Sequence, residues 1–199
     1  MNFSGHHSLI SHPIKEAEMT QIACRIVEAY GGHINSFRLV KLLYIVEHES
    51  WKKLSQPAMG GEYFSMEAGP MISETSNAAK PENAETFKIW SEHLRTKGYE
   101  KAGKKVATEI EIIKPAERDE ISDALLKIVD EVVIKTKEWN NETLKLCVHK
   151  FKEYKEQPKG GRFPIEAEEI LEGVGKSPEK IKKLQSESEG WRKFEAALA

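Results

Sequence analysis

The stretch "FRLVKLLYIVEHESWKKL", Phe37 to Leu54, decides how this chain folds. Leu39, Val40, Leu42, Leu43, Tyr44, Ile45 and Val46 follow one another with only Lys41 between them. A surface helix would confine such residues to one stripe. Here two turns are apolar nearly all round, which predicts a helix enclosed by other elements. Glu47, His48, Glu49, Ser50, Lys52 and Lys53 then crowd the last turns, which predicts a wet end. Asn35 and Ser36 are ready N-caps.

Working outward, Pro13 suits the first turn of a preceding helix. From it Met19, Ile22, Ala23, Ile26, Val27 and Tyr30 recur at three- and four-residue spacing. Gly31-Gly32 ends that helix, glycine being the residue that accepts the left-handed conformation. After the central helix the chain changes character. Tyr63-Phe64-Ser65-Met66 is short and aromatic between glycines, a strand or extended hook, and Gly69-Pro70 is a turn. Ser73 is placed to cap a short helix through Ala79, stopped by Pro81.

In "KKVATEIEII", Val106, Thr108, Ile110 and Ile112 alternate with Ala107, Glu109 and Glu111, the signature of a strand. Its nearest partner is Phe87 to Leu94, across a loop holding Gly98 and Gly103. That segment could equally form one or two helical turns. Ile121, Leu125, Ile128, Val129, Val132 and Val133 make another helical face, with Asp119 as its expected cap. Asn141 is expected to cap a helix carrying Leu144, Cys147, Val148, Phe151 and Tyr154. Pro158 to Gly161 is a linker. A brief helix around Ile165 to Leu171 follows, then a last one opened by Ser177-Pro178 and bearing Ile181, Leu184, Trp191, Phe194 and Leu198.

The expected architecture is therefore mainly α with a small β-hairpin, an α+β domain built around a central buried helix. Its divisions are a flexible arm at 1–12, a domain at 13–157, and a linker with a helical tail at 158–199.

Composition narrows function. The 199 residues include 39% apolar and 31% charged side chains, with a net charge of −2. That balance lacks the broad positive field that duplex-binding proteins carry. Arg95, Lys97, Lys101, Lys104 and Lys105 cluster against Glu100 alone, and read as a solvated hairpin tip. Cys24 and Cys147 read as free thiols in a reducing compartment. The opening residues carry no signal-peptide pattern, and no apolar run approaches the ~20 residues of a membrane helix. The expected location is the cytoplasm.

Catalytic and metal motifs fail one after another. His6, His7 and His12 cluster, yet no carboxylate or cysteine completes a tetrahedral set. "HESWK" begins like a zinc-protease motif, but Lys52 stands where the second histidine belongs. Gly175-Lys176-Ser177 resembles the end of a phosphate loop, but Ile170 replaces its first glycine. His149 has no nucleophile or acid partner identifiable by spacing and reads as a structural histidine. No enzyme activity, cofactor or metal is expected.

The order of features resembles a family. Lys41-Leu42-Leu43-Tyr44, an aromatic hook, and Gly69-Pro70 about twenty-five residues later resemble the core of the Panacea domain, the SocA-like antitoxin domain also seen in phage-associated GepA proteins. "LKLCVHKFKEY" resembles the T-H-x-x-P-x-W end of that domain. His149 matches its histidine, while Val148 replaces threonine, Lys152 proline and Tyr154 tryptophan. The resemblance spans roughly residues 15–185. It implies an antitoxin that neutralises a protein toxin, usually encoded beside it, by direct contact. The SocA branch instead delivers its toxin to a protease, and many antitoxins bind their own operon, a role the charge here disfavours. The implied partner is the cognate toxin, as a hetero-oligomer or with a homo-oligomer. Lys41, Leu42, Leu43, Tyr44, Gly69, Pro70 and His149 are the motif scaffold. Recognition is expected on the hook, at Tyr63, Phe64, Met66 and Met71, with Trp191 and Phe194 as a second docking point.

Overall fold

Helix α2, Ser36–Leu54, forms the axis of the protein, and the other elements are arranged around it. The computed structural model describes residues 9–101 and 104–198, the side chains of 99–101, 104–107, 192 and 195–198 excepted. Helices α1 (Glu16–Ala29), α5 (Asp123–Thr136) and α6 (Asn141–Val148) pack on α2, as does α7 (Ala167–Gly173). Short helices α3 (Ser73–Ala78) and α4 (Lys88–His93) and a long terminal α8 (Pro178–Leu198) complete the helical set. The expected mainly α architecture with a small β part is what the structure has.

Two three-stranded antiparallel sheets flank the helices. Strand β5 (Lys104–Ile112) lies between β1 (His33–Asn35) and β4 (Leu94–Lys101), and β2 (Tyr63–Met66) lies between β3 (Met71–Ile72) and β6 (Arg162–Ile165). One apolar core joins them. Leu39, Leu42, Leu43, Tyr44 and Val46 of α2 are fully buried against Ile22, Ile26, Ile110, Val129, Leu144 and Ile170. Burying a side chain of this size contributes ~1.5–3 kcal/mol, so the all-round apolar turns of α2 are a large store of stability.

Several local expectations are corrected. The end of α2 is not wet: Glu47, His48, Ser50 and Trp51 are buried, and Lys52 and Lys53 alone reach solvent there among the last four residues before Leu54. Polar character did not mean exposure because Glu47, Ser50 and Trp51 find hydrogen bonds inside, Ser50 donating to Gln56 O at 2.8 Å, while His48 stacks on Phe151. Pro13 precedes α1 instead of opening it. Residues 12–15 run extended beside the Met59–Gly61 segment, with Lys15 N donating to Met59 O and Gly61 N to His12 O. The partner of β5 begins at Leu94, and of the two readings left open for Phe87–Leu94 the helical one holds, as α4. Ser122, not Asp119, caps α5, because Asp119 accepts from Gln21 instead. Asn140, one residue before Asn141, caps α6. Ile72 takes the cap position of α3, so Ser73 is its first residue. Arg162–Ile165, lying between the expected linker and the helix expected around Ile165, is strand β6.

The N-terminal segment from Leu9 lies against this body. Ile10 is 3% exposed, and the backbone N–H groups of Leu9 and Ile10 donate to Glu168 of α7.

Candidate functional site

The residues with unusual chemistry converge on the hook, residues 62–72. Its turn requires Gly69, whose φ is +100°. A Cβ there would stand 2.6 Å from Val148 Cγ2 and 3.1 Å from His149 Cδ2, so α6 comes as near as a bare backbone permits. From the opposite side Lys41 Nζ donates to the carbonyls of Gly69 and Pro70, both at 2.9 Å. Lys41 is 2% exposed; burial, with the Lys145 charge adding to it, lowers its pKa to about 7. The sequence motifs at Lys41, Gly69-Pro70 and His149 thus meet at one turn. His149 itself is stacked on Tyr154 at 4.2 Å.

The root of the hook is anchored by Glu47. Its Oε2 accepts from the backbone N–H of Ala58 at 3.0 Å and Met59 at 2.9 Å, and its Oε1 accepts from the Tyr63 hydroxyl at 2.6 Å. Trp51 Nε1 donates to the same hydroxyl at 3.3 Å. Burial raises the Glu47 pKa to about 7 against these bonds. A second buried acid, Glu153, accepts from Tyr44 Oη at 3.0 Å. His48 stacks on Phe151 at 3.8 Å with Nε2 3.7 Å from Glu153 Oε1, and burial lowers its pKa to about 4. Ser65 Oγ accepts from Lys155 N at 2.9 Å.

Lys41, Glu47 and Ser65 position backbone. Burial pushes Tyr44 and Tyr63 well above their ordinary value and the Cys24 thiol up to about 12, away from the lowered values of activated nucleophiles. Among the described residues no group of three metal-ligating side chains occurs; His6 and His7 lie outside them, and His12 lies beside the Trp51 ring.

The proposed recognition residues separate by strand alternation. Tyr63 and Ser65 point inward, and Tyr63 is 7% exposed, so it belongs to the scaffold and offers no surface anchor. Phe64 and Met66 point outward and are half-buried, with Met71 paired opposite Phe64. On the other side β6 places Pro164 opposite Phe64 and Arg162 opposite Met66. The Arg162 guanidinium lies 3.4 Å over the Phe64 ring centroid and donates to Ser73 Oγ at 3.1 Å. Trp191 and Phe194 sit elsewhere, on α8, 67% and 55% exposed and edge to face at 6.0 Å. Trp191 shares a groove with Ile10, Trp51, Leu54 and Leu184.

Sequence reasoning missed Glu47, Glu153 and Arg162. The first two looked like surface charges on helical segments. For Arg162, the alternation in Arg162-Phe163-Pro164-Ile165 was the available signal.

The family model for the SocA-like antitoxin with a Panacea domain matches residues 39–155. This chain belongs to that family. Among curated proteins and among solved structures, no match was found. The Panacea match takes in Lys41, the whole hook and His149, and it ends at Lys155, whose N–H bonds Ser65. Strand β6 and helices α7 and α8 follow it. No helix among the described residues is long and apolar enough to cross a membrane.

Proposed function

We propose that this chain is the antitoxin of a toxin–antitoxin system and neutralises a cognate protein toxin, encoded beside it, by direct binding in the cytoplasm. The observation that carries this reading is the outer face of the β3-β2-β6 sheet. Phe64, Met66 and Met71 present apolar surface there, and the family-motif residues Lys41, Gly69 and Pro70 hold the strand ends from behind. Binding energy concentrates in a few anchors whose ordering cost has been met before contact. Methionine adds a side chain that repacks against differing partners. Lys41, Glu47 and Tyr63 are turned inward and bonded, as suits a scaffold. His48 Nδ1, His149 Nε2, Glu153 Oε2 and Tyr154 Oη are buried without a hydrogen-bond partner among the described residues.

The test is co-expression. The chain is produced together with the products of neighbouring genes that arrest growth, and colony formation and co-purification are scored. Growth restored together with a stable complex is the expected result. Failure to restore growth against any neighbouring toxic product would sink the reading.

Delivery to a protease is the second reading, and exposed Trp191 and Phe194 on α8, past the matched segment, favour it. Toxin levels separate the two: delivery lowers them, whereas occlusion leaves them unchanged. Autoregulation through DNA is disfavoured by the hairpin, where Arg95 and Lys97 are both ion-paired with Glu111.

A further inference from the structure

Among Phe64, Met66, Met71 and Pro164 on the outer sheet face stands one cation. Arg162 stands on β6 between Met66, opposite it in register, and the Phe64 ring beneath its guanidinium. Stacking and the bond to Ser73 Oγ fix the planar group, while four of its five N–H donors remain for other partners by the hydrogen bonds described. Among the described residues no carboxylate pairs with it. The nearby cations are otherwise engaged. Lys155 pairs with Glu169 and covers Phe163, on the opposite side of the strand, and Lys41 is turned inward to two carbonyls.

An arginine held flat on an aromatic ring has already lost most of its rotational freedom, so pairing its fork costs little further entropy. Arginine surrounded by apolar residues is also the composition of interface hot spots. A single fork with no second free cation on the face suits a carboxylate better than a phosphate, whose double charge is met by clusters of basic residues.

We propose that Arg162 is the specificity-determining anchor of this face, and that the face takes an apolar segment of a protein partner carrying an aspartate or glutamate. The carboxylate pairs with the guanidinium fork, and flanking aliphatic or aromatic side chains cover Phe64, Met66, Met71 and Pro164. For the identity of its partner as a toxin this rests on the antitoxin reading. Arg162 lies past residue 155, outside the matched domain.

The experiment is selection of a random peptide library displayed on phage against the full chain, followed by calorimetry with synthetic copies of the enriched peptides. Peptides with an acidic residue beside large apolar ones should be enriched. Arg162→Leu, which still covers the Phe64 ring, should weaken them roughly tenfold, and less so in high salt. Replacing the peptide's acid by its amide should weaken wild-type binding to the same degree and leave Arg162→Leu binding unchanged. That cycle cancels any effect of the substitution on folding, and Arg162→Lys, keeping charge without the fork, should fall between. Enrichment without acidic bias, no enrichment, or equal binding by Arg162→Leu would overturn the proposal. Acidic peptides bound through Arg162 without any rescue from a toxin would uphold this surface and reject the antitoxin reading. Toxin rescue with Arg162-independent binding would do the reverse.

Discussion

Tyr63 donates its hydroxyl proton to Glu47 across 2.6 Å in a site where both side chains are buried. The bond joins the hook to the central helix at the point where the apolar turns of α2 give way to its polar ones. Tyr63→Phe removes one of the three donors that Glu47 accepts and leaves the carboxyl buried. A loss of about 1–3 kcal/mol is expected, read as a lower urea midpoint with unchanged slope. An unaltered midpoint would mean that the bond contributes nothing net.

Stability should also rise with pH above neutrality, with opposing contributions below it. Glu47 rises from 4.5 to about 7 on folding, so the folded chain keeps a proton that the unfolded chain releases. Its contribution is full below about 4.5 and is lost as pH climbs to about 7. Lys41 falls from 10.5 to about 7, so burial of its charge costs stability below about 7, and the cost is relieved as pH climbs towards 10.5. His48, lowered from 6.5 to about 4, costs stability at low pH and is relieved as pH climbs to 6.5, so it opposes Glu47 over the same range. Urea midpoints should therefore change little on the acid side and rise above about 7. Glu47→Gln should turn the acid side into a rise, and Lys41→Met should flatten the alkaline limb. A limb that keeps its slope in the matching variant would refute its assignment.

Gly69→Ala should cost about 2 kcal/mol or more, because a side chain at φ +100° is strained and its Cβ meets Val148 at 2.6 Å. Adding Val148→Ala relieves the collision but not the backbone, so a double-mutant cycle should recover part of the loss. Full recovery would show that strain at φ is negligible there.

Partner binding should respond to the outward residues. Met66→Ala and Met71→Ala are expected to leave the thermal midpoint within a few degrees while weakening the toxin complex roughly tenfold each. Trp191→Ala and Phe194→Ala should leave the complex intact under occlusion. Calorimetry on the four variants decides, and the opposite pattern would move recognition to α8.

Much of this was legible in the sequence, and the reasons differ by element. The apolar circumference at Leu39–Val46 announced a central helix because only enclosure on all sides tolerates it. Asn35 capped α2 as its chemistry suggested, its side chain accepting from Arg38 N at 3.2 Å. The hook was visible through Gly69-Pro70, but the inward turn of Tyr63 was not, since a strand of four residues gives no second period to fix its faces. Glu47 and Glu153 were hidden because their partners, backbone N–H groups and tyrosine hydroxyls, leave no spacing pattern. Strand β6 escaped because its pairing with β2 spans about a hundred residues, and short strands declare themselves mainly through a neighbour in sequence.

Removing everything after Gln157 should therefore unfold more than a tail. Ile165, Ile170, Leu171 and Ile181 are 6% exposed or less within the common core. At ~1.5 kcal/mol each their loss removes roughly 6 kcal/mol, comparable with the whole stability of a small domain. A truncated chain that melts as cooperatively as the full one would contradict this.

The register of β6 on β2 also sets a time order. Residues 63–66 leave the ribosome long before residues 162–165, and domains generally fold as synthesis proceeds. Until the late strand arrives, β2 has an open edge and Phe64 lacks its guanidinium cover. A nascent chain is thus unable to present the finished β3-β2-β6 face until residues 162–165 have been made.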